Sequence, residues 1–165
     1  PPPPPPFFFN PQTANALMPI LVGSDMCIRH RHFIELRSVS PEGSTHVLNI
    51  KGLKDPTIKF WSLWESDHLI GCGALKFLDK NHGEFKSIRI ADKFRKKGNG
   101  IKIIQHLIEE AKKLKIKKIS IETGAGIFFK PSRKLFDLCG FKKCKPFAHY
   151  KSDPNSCYMS LFLKK

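Results

Sequence analysis

Residues Glu84 to Ile108 read EFKSIRIADKFRKKGNGIKIIQHLI, and the order of features in that stretch decides the fold. Glu84 to Ile90 follows the Asn81-His82-Gly83 turn and has the make-up of a strand. From Gly98-Asn99-Gly100 onward, Ile101, Ile104, Leu107, Ile108, Ala111 and Leu114 recur at helical spacing. Glu109 and Lys113 are expected to pair on the helix surface. Glycines at a helix start let the backbone approach a ligand. The free N–H groups of the first turn carry partial positive charge. Arg95-Lys96-Lys97 sits just upstream, so the segment suits a pyrophosphate. It is no Walker A loop, because GxxxxGK[ST] is absent, and no dinucleotide fingerprint, because the full GxGxxG is missing. Taken alone, a glycine-rich N-cap explains the fragment equally well.

Working outward, Thr57 to Trp64 and Leu69 to Leu78 read as strands joined at Glu65-Ser66-Asp67-His68. With Glu84 to Ile90 they form an antiparallel meander. Downstream, Lys118 to Glu122 is a short strand, and Pro131 to Cys139 a helix with Leu135 and Leu138 inward and Gly140 as its stop. Phe141 to Leu163 reads as two strands joined at Asp153-Pro154-Asn155. Upstream, Pro19 to Val22 suggests a strand, Met26 to Arg37 a helix, and Ser44 or Thr45 the cap of a helix reaching Leu53. The order is β-α-α-β-β-β-α-β-α-β-β. The strand–helix–strand unit requires one parallel pair, so the fold class is α/β (α+β) with a mixed, mostly antiparallel sheet.

The chain has 165 residues, which fits one domain large enough to bury its own core. Residues 1–17 are set apart as a proline-rich disordered tail, or a ligand for a proline-recognition module, and residues 18–165 as the domain. No transmembrane run and no secretory leader is read, so no membrane partner is expected. Five cysteines, an odd count in apolar contexts, read as reduced thiols and a cytoplasmic setting. Cys139, Cys144 and His149 lack a fourth ligand, so no metal is expected. Lys and Arg number 29 against 14 Asp and Glu, giving +15 and implying an anionic ligand or partner.

The pattern Arg95-x-x-Gly98-x-Gly100 between a strand and an amphipathic helix resembles the acetyl-CoA loop of the GNAT family of N-acetyltransferases. Leu135-Phe136-Asp137-Leu138-Cys139-Gly140-Phe141 resembles that family's LYxxxGF helix end, with Phe for Tyr. Glu122-Thr123-Gly124 closes a strand at the place of the family's fifth, and Glu84 lies eleven residues before Arg95, where many members carry a catalytic carboxylate. GCGALK (71–76), GEFKSIR (83–89), ETG (122–124) and DPNSCYM (153–159) are similar to small bacterial members. The resemblance covers roughly His32 to Leu163.

It implies a sheet whose fourth and fifth strands splay, with flanking helices and acetyl-CoA in the gap. Pantetheine is then expected along Ser87, Ile88, Arg89 and Ile90, and pyrophosphate on the amides of Lys97, Gly98, Asn99, Gly100 and Ile101. Arg95, Lys96, Lys97, Lys102, Lys130, Arg133 and Lys134 are candidate phosphate contacts. Glu84 is the candidate base, with His82, His46 and His149 as alternatives. An N–H near Ile88 is expected to polarise the thioester carbonyl. Phe136 cannot protonate the leaving thiolate as the family's Tyr does, so Tyr150 and Tyr158 become candidate acids, against a plain packing role. Trp61 or Trp64, and the Pro41 to His46 loop, are candidate walls of the acceptor cleft. The implied activity is acetyl transfer to a primary amine of a small molecule or peptide. Two other readings compete: a CoA-binding sensor without turnover, suggested by Phe136, and a basic nucleic-acid module, suggested by the lysines from Lys112 to Lys118. Nucleic acid is the weaker choice, because no helix-turn-helix, zinc-finger or RNP1 pattern is present. A homodimer is a further candidate assembly.

Overall fold

The computed structural model describes residues 5–9, 55–66 and 68–164. The strand at Pro19 to Val22, the helices before Leu53, His46 and the Pro41 to His46 loop lie outside the described residues. The described elements are β1 (Phe7–Phe9), β2 (Ile58–Glu65), β3 (His68–Phe77), β4 (His82–Ile90), α1 (Asn99–Lys113), β5 (Lys118–Gly124), α2 (Lys130–Leu138), β6 (Lys142–Lys143) and β7 (Ser156–Phe162). The described strands form one seven-stranded sheet in the order β1-β2-β3-β4-β5-β7-β6. Every neighbouring pair is antiparallel except β4–β5, which is parallel and bridged by α1. The mixed sheet expected from the strand–helix–strand unit is therefore present.

Both faces of the sheet are covered. Because side chains alternate along a strand, Trp61 and Leu63 of β2 face one way and Ile58 and Phe60 the other. On the first face Trp61, Leu63, Leu75 and Phe85 pack with Ile103, Ile104 and Leu107 of α1, Phe136 of α2, and Phe141. On the second face Ile58, Phe60, Leu69, Cys72 and Ala74 form one cluster, and Phe147, Tyr150 and Tyr158 another.

Several local expectations are corrected. Phe7–Phe9, assigned to the disordered tail, form an edge strand whose register sets Phe8 against Leu63 of β2. The Phe8 ring stacks on His106 of α1 at 3.8 Å and packs against the core, while Phe7 stays exposed. Leu138 points outward and is 68% exposed, while Phe136 is 4% exposed. At 100° per residue those two positions fall on opposite sides of a helix. Glu109 pairs with Lys112 at 2.8 Å and Glu110 with Lys113 at 2.7 Å, both three residues apart, in place of Glu109 with Lys113. The first strand of the C-terminal pair shrinks to Lys142–Lys143, and irregular chain crosses the second face before β7. No helix among the described residues is long and apolar enough to cross a membrane.

Candidate active site

Two strands that start paired and then part define the site. β4 and β5 are in register only at His82–Lys118, Gly83–Ile119 and Glu84–Ser120. Beyond Glu84, β4 stays on β3 and β5 stays on β7, so a wedge opens between them. The splay implied by the sequence is there, and Glu84 marks its apex. Further along β4 one extra residue bulges out: Cys72 faces Arg89 and Ala74 faces Lys86, with Ser87 at φ 54°. A bulge bends a strand and re-aims its backbone groups, here at Ser87 and Ile88, beside the wedge.

The glycine turn stands past the far end of β4. Gly98, at φ 80°, is the N-cap of α1 in the left-handed region that glycine enters without penalty. The first intrahelical bond runs from the Lys102 N–H to the Gly98 carbonyl at 3.2 Å. Helix geometry therefore leaves the Asn99, Gly100 and Ile101 amides without an intrahelical acceptor. A Cβ on Gly100 would stand 2.7 Å from a Leu135 methyl, so glycine here lets α1 begin against α2. The buried Asn99 side chain donates to the Phe94 carbonyl at 3.0 Å and holds the turn closed.

The basic residues divide by what they touch. Arg95 braces the loop: its Nε donates to the Ile90 carbonyl at 3.2 Å and its guanidinium pairs with Asp92 at 2.7 Å. Arg89 is buried and lies 3.6 Å from the same Asp92 carboxylate. Arg133 donates to the Gly124 and Gly126 carbonyls at 2.6 and 2.9 Å and fastens the end of β5. Lys96, Lys97, Lys102, Lys130 and Lys134 are exposed around the glycine turn and α2.

The carboxylate site lies on the second face. Glu84, 1% exposed, accepts from Lys86 Nζ at 2.9 Å and from the Tyr150 hydroxyl at 2.6 Å, both through Oε1. Lys86 also donates to the Tyr150 oxygen at 2.8 Å, closing a three-membered ring. Glu84 Oε2 is buried with no hydrogen-bond partner among the described residues. Burial first, then the Glu84 charge and hydrogen bond, push the Tyr150 phenol far above its ordinary value, so it is a neutral donor. His82, on the same face, lies 2.7 Å from Ser120 Oγ. Burial, then the Lys118 charge, lowers its pKa below the usual imidazole value. His149 stacks beside Tyr150 at 4.7 Å.

The other candidates fall elsewhere. Tyr158 shares the aromatic cluster of Tyr150, 5.7 Å from its ring, but its hydroxyl donates to the Lys151 carbonyl at 2.8 Å. Trp61 is buried on the α1 face, and Trp64 turns to the second face with its indole N–H on Ser62 at 2.8 Å. Phe136 stands edge-on to Phe141 at 5.5 Å in the core. No group of three or more His, Cys, Asp or Glu among the described residues is placed to hold a metal. Lys86 was missed from sequence. Its signal was the alternation that puts it two residues from Glu84 on the same face of β4. Tyr150 and Glu84 are both candidates from sequence, but their pairing across 66 positions is not legible there.

A family model described as "Acetyltransferase (GNAT) family" matches residues 28–141. The chain belongs to the GNAT acetyltransferase family. Among its GNAT-type relatives, the N-acetyltransferase YsnE of Bacillus subtilis is 46% identical over 131 residues, covering 79% of this chain and 87% of YsnE. The N-acetyltransferase YedL of Escherichia coli is 39% identical over 132 residues, covering 80% of this chain and 83% of YedL. A GNAT family acetyltransferase of Elizabethkingia anophelis, solved with acetyl-CoA bound, superposes with a TM-score of 0.56 at 22% identity, covering 65% of this chain and 77% of that one. The family match and the splayed sheet agree on the fold.

Proposed function

We propose that the protein is an acetyl-CoA-dependent N-acetyltransferase that acetylates a primary amine of a small molecule or peptide by direct attack. The observation that carries this reading is the parting of β4 from β5 immediately beyond Glu84. Acetyl-CoA supplies a thioester open to attack and a pyrophosphate for anchorage. The residues present fit it: the Asn99, Gly100 and Ile101 amides lack intrahelical acceptors at a helix start, and glycine at position 100 lets that start pack against Leu135 of α2. Lys96, Lys97 and Lys102 add positive charge around them. The bulged backbone at Ser87 and Ile88 gives an N–H for the carbonyl oxygen.

Glu84 Oε2 takes the proton from the acceptor's ammonium, leaving a neutral nucleophile. Tyr150 offers its phenolic proton to the departing sulfur, the role Phe136 cannot fill, and is reprotonated by Glu84, which then takes the second nitrogen proton and passes it to water. A thiol near an ordinary cysteine pKa, about 8.5, leaves readily near neutral pH, so this assistance is modest. A cytoplasmic setting is part of the proposal, in keeping with Cys139, Cys144 and Cys157 carrying no disulfide. The test is release of free CoA thiol from acetyl-CoA across a panel of primary amines. Turnover of at least one amine, lost on Glu84→Gln, is expected. Tight acetyl-CoA binding by calorimetry with no amine consumed would instead make the protein a CoA sensor.

A further inference from the structure

The Lys86–Glu84–Tyr150 ring leaves two hydrogen-bonding capacities open side by side. An ionised carboxylate accepts through both oxygens, and only Oε1 has partners among the described residues. A lysine ammonium has three donors, and two are placed, on Glu84 and Tyr150. Lys86 is only 10% exposed on its side chain and Glu84 1%, so neither spare capacity is met by bulk water at full strength. Oε2 shares a carbon with Oε1, and Oε1 lies 2.9 Å from the ammonium. The spare acceptor and the spare donor are therefore immediate neighbours.

Charge narrows what can fill them. Glu84 and Lys86 cancel one another. A plain alkylammonium entering beside them adds an unbalanced positive charge at a buried place, which is costly. It would also approach an existing ammonium and leave that ammonium's third N–H unmet. A molecule bringing an ammonium and a carboxylate together adds no net charge and satisfies both openings, ammonium on Oε2 and carboxylate on Lys86. The geometry points to an α-amino carboxylate as the acceptor: a free amino acid or a compound with that headgroup. This inference rests on the acetyl transfer proposed above and names its substrate class. In the step, Glu84 Oε2 receives one proton from the ammonium, the neutral nitrogen forms an N–C bond to the acetyl carbon, and the C–S bond breaks. Tyr150 protonates the CoA sulfur and is reprotonated by Glu84, and the second nitrogen proton passes through Glu84 to water. Lys86 holds the acceptor's carboxylate and is a substrate-positioning residue.

The experiment measures free CoA release with amine pairs that differ only by the carboxylate: tyrosine and tyramine, histidine and histamine, tryptophan and tryptamine. The amino acid of at least one pair should exceed its amine by about 10-fold or more in kcat/KM, the scale of one charge-assisted hydrogen bond. In Lys86→Met that preference should collapse to about one, mainly through KM for the amino acid, and Lys86→Arg should restore part of it. Acetyl-CoA affinity, followed by calorimetry, reports that each variant is folded. Amines equal to or better than their amino acids in the wild-type protein overturn this inference and leave the transferase reading standing. A preference that survives Lys86→Met overturns the role of Lys86. No CoA released from either panel, with acetyl-CoA still bound, overturns both readings together.

Discussion

The Tyr150 hydroxyl lies 2.6 Å from Glu84 Oε1 although the two residues are 66 positions apart, and it donates to that carboxylate from inside an aromatic cluster. This contact joins the irregular chain before β7 to the apex of the wedge, so the base and its neighbour are held by different parts of the chain. Glu84→Gln keeps the shape and removes the proton acceptor. Turnover should fall about 10²-fold, the usual scale for a general base, with acetyl-CoA affinity nearly unchanged. Steady-state kinetics with calorimetry check it, and a wild-type rate in the variant removes Glu84 from the chemistry.

Tyr150→Phe should lower kcat about 10-fold and take away one partner each from Glu84 and Lys86. Tyr158→Phe loses bonds to the Lys151 carbonyl and the Ser156 hydroxyl and none to Glu84, so its effect should appear in stability and not in kcat. Phe136→Tyr should leave kcat unchanged or slightly raised while costing stability, about 1–3 kcal/mol if the added hydroxyl finds no partner in the core. Paired measurements of kcat and denaturant midpoints separate the three, and equal loss of kcat in both tyrosine variants refutes the assignment.

The two glycines of the turn should fail for different reasons. Gly98 has open space around its Cβ direction but a φ of 80°, so Gly98→Ala should cost about 1–2 kcal/mol by backbone conformation alone. Gly100→Val would drive into Leu135 and crowd the helix start. It should weaken acetyl-CoA binding at least about 10-fold in a protein that still folds. Calorimetry on both variants decides, and an unchanged affinity for Gly100→Val moves the anion site elsewhere.

His82 and His106 both hold pKa values below the ordinary 6.5, chiefly through burial. For His106, which lies under Phe8 with Nε2 unpartnered among the described residues, Glu110 pulls the value up and Lys113 down. The unfolded chain takes up these protons as pH falls below 6.5, and the folded chain only at lower pH. Their contribution is therefore complete above 6.5 and is lost as pH falls through the folded values. Denaturant midpoints should drop from about pH 7.5 to about pH 5, and His82→Gln should flatten part of the drop. An identical slope in that variant rules His82 out as a cause.

The glycine turn, the strand before it and the helix after it were legible because each depends on neighbours in sequence. The splay was implied by the family resemblance, and the pairing at only three positions follows its outline. What stayed hidden depends on long-range packing. Arg95 and Arg133, read as phosphate contacts, hold backbone carbonyls and Asp92, and no local pattern distinguishes a bracing arginine from a binding one. Leu138 has the composition of a core residue and the position of a surface one. Phe7–Phe9 looked like an appendix of a proline run, and only the partner strand shows that it belongs to the sheet.

The short seam between His82–Glu84 and Lys118–Ser120, with the Asn81 carbonyl just below it, gives the sheet an uneven mechanics. Strands β1 to β4 form one leaf and β5 to β7 another, joined within the described sheet by that seam alone and held together besides by the shared core under α1 and α2 and by the Glu84–Tyr150 contact. Widening the mouth therefore shears the packing of Phe85 against Phe141 before it breaks any other strand pair, so the width of the gap is set by the core and not by backbone bonds. A substitution at Gly83, where a Cβ would stand 2.6 Å from a Leu75 methyl, acts on that width through the core.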